Sequence, residues 1–184
     1  MKKYAVLIFL MIAGCSPEIM IRSDYDKDVN LQQYSTYKWA GIRELESRNN
    51  PLYYNELNDK RIREAVDNEL NSLGYIQADD AELILHYHIV VEDQHMIINE
   101  PYGTYGPYWT RQQAVIQYKE GSIIIDIMEA STNSLAWRGW ATSVINGTPD
   151  INEKLIRNSI VKLFRKYPYS PAGKKSDEPS NPFQ

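Results

Sequence analysis

Residues 82–93 read ELILHYHIVVED. Leu83, Leu85, Tyr87, Ile89 and Val91 fall on one side of an extended chain, and Glu82, His86, His88 and Glu92 on the other. Side chains of a strand alternate between two faces, so this segment has one face that must be covered and one that water can meet. The pattern recurs in GSIIIDIMEA, residues 121–130, where Ile123, Ile125 and Ile127 oppose Ser122, Asp126 and Met128. Strands of this kind pair into a sheet with one bare apolar face, and amphipathic helices are its usual cover.

Two segments have the period of such helices. In NELNDKRIREAVDNELNSLGY, residues 55–75, Ile62, Val66, Leu70 and Leu73 form one stripe bordered by Ala65 and Glu69. Asn55 or Asn58 can cap its start, and Gly74 stops it with Tyr75 folding back on the last turn. In the second, Asp150 and Glu153 make a capping-box-like start, the stripe is Ile156, Ile160, Leu163, Phe164 and Tyr167, and Pro168 ends it. Alternation also predicts a strand from Ile19 to Tyr25, a short one within YSTYKWAG at 34–41, and one in SLAWRGWATSVI at 134–145. The order is β-β-α-β-β-β-α. The expected fold is an α+β two-layer sandwich, its sheet mostly antiparallel, with both helices packed on one face and the last three strands forming a meander.

The turn EASTNSL predicts a register. A three-residue loop at 131–133, with Asn133 left-handed, pairs Ala130 with Ser134. Counting outward places Asp126 opposite Arg138 on the non-core face and Ile125 opposite Gly139 on the core face. Trp39, Tyr87 and Trp137 are expected in the core or at its edge, and Trp140 on the face opposite Trp137.

The chain has 184 residues and one cysteine, Cys15. A single thiol cannot bridge within the chain. Met1-Lys2-Lys3, the apolar run from Tyr4 to Ala13, and the small residues Ala13-Gly14 precede it, the three-part plan of a secretory signal peptide. The run is too short to span a bilayer as a stable helix. IAGC, residues 12–15, resembles the lipobox of bacterial lipoproteins. That resemblance implies cleavage after Gly14 and a diacylglycerol thioether on Cys15. Ser16, where an aspartate would favour inner-membrane retention, implies the outer membrane facing the periplasm. The expected organisation is a signal peptide at 1–14, an acylated N-terminus and short tether at 15–18, one domain at 19–167, and a disordered proline-rich tail at 168–184. Losing Lys2 and Lys3 takes the formal net charge from −4 to −6. Such a chain has no electrostatic reason to bind nucleic acid.

DKDVNLQQYSTYKW (26–39), GY (74–75), EGSIIIDIMEASTNSLAWRGWA (120–141) and KLFRKYP (162–168) together resemble the domain of unknown function 4136 family of bacterial lipoproteins. The Asp26/Tyr34/Tyr37/Trp39 cluster and WRGWA carry the resemblance. It implies a fold and an address; the family brings no established activity.

Motifs for chemistry are sparse. His86 and His88 point the same way from one strand and, with Glu92 or His95, can be imagined as metal ligands, but no HExxH and no cysteine cluster supports a site. No nucleophile elbow and no phosphate-cradling glycine loop is present. Asp79-Asp80 and Glu92-Asp93 read as solvated charge. One segment stands apart. NEPYGTYGPYWTRQQ, residues 99–113, sets Tyr102, Tyr105, Tyr108 and Trp109 among glycines and prolines, and is expected to be a loop between two strands. Its rings either fold over the end of the sheet or meet a partner. The favoured function is a non-catalytic envelope lipoprotein without cofactor. It would be held to the membrane by its lipid and present a sheet face and this aromatic segment to an envelope protein or glycan. The alternative is a periplasmic hydrolase or metal-dependent enzyme using the His86/His88 face.

Overall fold

The computed structural model describes residues 18–41, 52–102, 110–145 and 153–169. The expected signal peptide and lipidation site at Cys15, the helix cap at Asp150, and the tail beyond Tyr169 lie outside them. The elements are β1 (Ile19–Tyr25), β2 (Thr36–Trp39), α1 (Glu56–Leu73), β3 (Ile76–Gln77), β4 (Leu83–Tyr102), β5 (Thr110–Glu129), β6 (Leu135–Ile145) and α2 (Glu153–Phe164), with a 3-10 turn at Leu31–Gln33. They form one six-stranded sheet in the order β1-β6-β5-β4-β2-β3. All pairings are antiparallel except those of β2 with β3 and with β4. The α+β architecture is the expected one. The two-residue β3 is additional: after the helix the chain adds a short edge strand before crossing into β4.

α1 begins as its sequence dictates. The Asn55 side chain accepts a hydrogen bond from the Asn58 amide at 2.9 Å, and Glu56 and Asp59 place negative charge in the first turn. It ends at Gly74, which takes φ 96°, and the Tyr75 amide bonds back to the Leu70 carbonyl at 3.0 Å. Ile62, Val66 and Leu70 of the predicted stripe are fully buried, as are Ile156, Ile160, Leu163 and Tyr167 of the second. The two helices pack side by side against the odd-numbered residues of β4 and β5: Leu83, Leu85, Ile89, Ile123, Ile125 and Ile127. Each such aliphatic side chain stabilises the fold by about 1.5–3 kcal/mol. Trp137 is wholly enclosed between sheet and α2, its ring 5.7 Å from Phe164 and 5.2 Å from Tyr167. Tyr169 belongs to the packed body as well, edge-on to Tyr25.

Asp126 faces Arg138 and Ile125 faces Gly139, as the turn predicts, and Asn133 is left-handed at φ 56°. The pairing nearest the turn differs. A bulge between Ile127 and Met128 shifts the register, so that Glu129, not Ala130, bonds to Ser134. The extra residue is Ala136, buried beside the equally buried Trp137. Two adjacent core residues cannot both face inward on a regular strand, and the bulge resolves the conflict.

The loop expected at 99–113 is corrected more substantially. The ladder of β4 and β5 runs unbroken out to Tyr102 opposite Thr110. Pro101 does not interrupt it. The Ile89 amide faces the outer edge of β4, where the Tyr54 hydroxyl accepts it at 2.7 Å. Pro101 lies an even number of residues further along a strand with no bulge, so its nitrogen also faces outward, where no ladder bond is lost.

Candidate functional site

Even-numbered residues of β4 and β5 point away from the helices, and no described element covers that face. Strand pairing lines up its side chains in rows. Asp24, Arg138, Asp126 and His86 form one; Arg22, Trp140, Ile124 and His88 the next; Met20, Thr142, Ser122 and Val90 the third. Ser122 and Thr142 share a hydroxyl–hydroxyl bond of 2.7 Å. Met20, Val90 and Val144 are exposed, and Ile84, Ile124, Met128 and Trp140 are half-buried.

Asp126 is the exception to the openness of this face, its side chain only 6% exposed. Arg138 donates to it from both Nε and a terminal nitrogen, each at 2.6 Å, and His88 Nε2 lies 3.5 Å from the second oxygen. Burial by itself would raise the carboxyl's pKa. The hydrogen bonds and charges of Arg138 and His88 outweigh it and hold the group at about 2. A carboxylate held so low and gripped on both oxygens is a poor proton acceptor near neutrality, so the row is a fixed ion pair and not a general base. His86 and His88 do stand on one face, as expected. Among the described residues no group of three or more His, Cys, Asp or Glu is placed to hold a metal ion.

On the other side of β4 a second network ties the sheet edge to α1. Tyr87 donates to Asp59 at 2.8 Å, and Arg63 bonds the same carboxylate at 2.8 Å. The Arg63 guanidinium lies 4.8 Å from the centre of the Trp39 ring. Trp39 and Tyr37 both donate to Asp67 at 2.9 Å. Burial first, and then the neighbouring carboxylates, push the Tyr37 and Tyr87 hydroxyls far above their ordinary range. These groups brace the helix on the sheet.

The long hairpin is the feature that strand alternation does not mark. β6 accompanies β5 only as far as Lys119, opposite Ile145. Beyond the Asp93–Lys119 ion pair of 2.6 Å, β4 and β5 pair only with each other among the described residues, as a two-stranded arm. Ile97 and Val115 form a cross-strand pair on one face of the arm, 59% and 61% exposed; Met96 and Ile116 form one on the other, 50% and 46% exposed. The signal for it was present in the uncharged runs QHMII (94–98) and AVIQY (114–118), where apolar residues sit at adjacent positions instead of alternating. Of the aromatic residues predicted to bind, Tyr102 is at the end of β4, and Tyr105, Tyr108 and Trp109 lie outside the described residues.

The model of a family described as domain of unknown function (DUF4136) matches residues 21–169, most of the chain and all of the sheet but its first two residues. The chain belongs to the DUF4136 family. No curated protein is similar enough in sequence to count as a match. Among solved structures, this DUF4136 chain is similar to part of a PDZ domain protein from Parabacteroides distasonis, with a TM-score of 0.55 and 13% identity over 83% of this chain and 37% of that one. It thus spans little more than a third of that protein's length, and at such identity the likeness concerns the fold alone. Two PelC dodecamer structures from Paraburkholderia phytofirmans align at TM-scores of 0.43 and 0.44, with 12% and 10% identity, over 79% of this chain and 94% and 95% of theirs.

Proposed function

We propose that this DUF4136 protein is a lipid-anchored lipoprotein of the bacterial cell envelope, attached through Cys15 to the outer membrane on its periplasmic side. It acts there as a non-catalytic module whose uncovered sheet face, with the aromatic segment at 103–109, meets an envelope protein or glycan. The observation that carries the binding role is the composition of the uncovered face. Met20, Val90, Ile124 and Trp140 stand beside a locked Asp126–Arg138 pair, on a face that the described helices leave free. Apolar and aromatic side chains set around a fixed polar pair suit a contact surface better than a solvated one. The anchor is supported by the order of charge, apolar run, small residues and cysteine in residues 1–15.

A photo-reactive residue in place of Arg22, on the uncovered face, is expected to capture a defined envelope component in intact cells. The same residue in place of Lys60, on the solvent side of α1, should not. Equal capture at both positions would remove the sheet face as the contact surface. Changing Tyr105 and Tyr108 to serine tests the aromatic segment. Loss of capture with an almost unchanged melting temperature is the expected result; a fall of several degrees with capture retained assigns those rings to closing the end of the sheet.

A further inference from the structure

We propose that the β4–β5 arm is a membrane-contacting element that rests in the interfacial layer of the same leaflet that holds the lipid on Cys15. The proposal builds on the lipid-anchored role above, adds a second point of attachment to it, and requires that the partner of residues 103–109, which join the two strands of the arm, be met at the membrane surface.

The topology puts anchor and arm at one end of the sheet. β1 enters at Ile19, opposite Ser143, which is itself opposite Gly121 of β5. From that level β5 continues back to Thr110. Those eleven residues of antiparallel strand reach about 37 Å. The two strand steps from β1 to β5 turn the axis by roughly 45°, which leaves about 26 Å of reach along the direction of β1. Three residues separate Cys15 from Ile19, and whatever shape they take the four Cα steps span at most about 14 Å. With β1 set along the membrane normal, the arm extends further toward the bilayer than the tether lets the body retreat.

Its surface fits that position. From Gln94 to Ile98 and from Ala114 to Tyr118 there is no Asp, Glu, Lys or Arg. Ile97 and Val115 present apolar surface on one face of the ribbon, and Met96 and Ile116 on the other. A second copy stacked on one face would leave the opposite pair in water; a lipid layer surrounds both. The depth is limited by the backbone. Both edges of a two-stranded ribbon carry unpaired amides and carbonyls, which hydrocarbon cannot satisfy and the headgroup layer can. The arm thus lies at the headgroup–acyl boundary and does not cross the bilayer.

Acylation would occupy the sulfur of the chain's single cysteine, so an introduced thiol is the sole site for a thiol-reactive dye. The test labels the variants Ile97→Cys and Ile116→Cys of the full acylated chain, and Ile76→Cys, exposed at the far end of the sheet, as control. Each is bound to phosphatidylethanolamine–phosphatidylglycerol vesicles carrying a nitroxide near the glycerol end of the acyl chain or near its methyl end. Labels at 97 and 116 should shift to the blue and be quenched severalfold more than the label at 76, most strongly by the shallow nitroxide. Acylated protein that sediments with vesicles, yet is quenched no more at 97 and 116 than at 76, overturns the arm's role and leaves the anchor standing. A blue shift without lipid quenching assigns the arm to a protein contact and also overturns it. A native chain that carries no acyl group overturns anchor and arm together.

Discussion

Gly139 lies on the core face of β6, opposite Ile125. A Cβ built there would stand 2.3 and 2.6 Å from Cη2 and Cζ2 of Trp137, and 2.7 Å from Cδ1 of Leu163. Contacts that short force something to move. The indole has nowhere to go, because it is fully buried with Phe164 and Tyr167 against it. Overpacking a dense core costs about 1–3 kcal/mol, and Gly139→Ala belongs at the upper end of that range. Two other glycines supply the scale. A Cβ at Gly121 would meet only the Ile145 side chain, Cδ1 at 2.4 Å and Cγ1 at 3.0 Å, the free end of a chain that can rotate away. At Gly41 it would meet nothing within 4 Å. Alanine also restricts the unfolded chain, worth roughly 0.4–1 kcal/mol in its favour, but equally at all three positions. In a domain of this size 1 kcal/mol moves Tm by roughly 2–4 °C, so Gly139→Ala should melt roughly 6–12 °C lower. Gly121→Ala should fall much less and Gly41→Ala should not fall. Thermal melts followed by circular dichroism measure all three. A Gly139→Ala variant as stable as Gly41→Ala would refute the packing of α2 on a bare strand.

The remaining predictions concern polar groups. Asp126 titrates at about 2 in the folded chain, below an unfolded carboxyl, so its stabilisation is complete above about pH 4 and is lost as pH falls toward 2. Over that window the urea stability of the native chain should fall by about 2 kcal/mol more than that of Asp126→Asn. Asp67→Ala strands the Tyr37 hydroxyl and the Trp39 indole N–H together, and should cost about 1–3 kcal/mol in the same measurement. Asn55→Ala removes the cap of α1 and should cost about 1 kcal/mol, with Asn55→Asp close to native.

The elements legible in the sequence were those with one face buried and a clean period. The stripes Ile62/Val66/Leu70 and Ile156/Ile160/Leu163 locate both helices, and Asn55 and Gly74 mark the ends of α1, because apolar burial and capping act locally. The Asp126–Arg138 pairing is met because two departures cancel: the turn pairs Glu129, not Ala130, with Ser134, and the unforeseen bulge at Ala136 restores the count. The bulge arises from two neighbouring residues competing for the core, which is a tertiary demand. The arm escapes the pattern for a related reason. Beyond Asp93 neither face is buried by the body, so alternation lapses, and Pro101 and the nearby glycines look like breakers. Only the direction of the backbone at the strand edge shows that Pro101 is harmless there. For the candidate site, the histidine pair and the Asp126–Arg138 pair were readable by parity. That His88 turns toward Asp126 depends on side-chain placement no pattern encodes.

The lipid on Cys15 underlies both the proposed location and the proposed membrane contact of the arm, and one mass measurement tests it. Trypsin acting on the native chain recovered from cells should release residues 15–22, CSPEIMIR, beginning at a cysteine that carries a diacylglycerol thioether. The Cys15→Ser variant should lack the modification, fail to incorporate a fatty-acid analogue, and leave the membrane fraction. A peptide that continues upstream through Gly14, or one with an unmodified Cys15 thiol from protein that still sediments with membranes, would contradict the anchor.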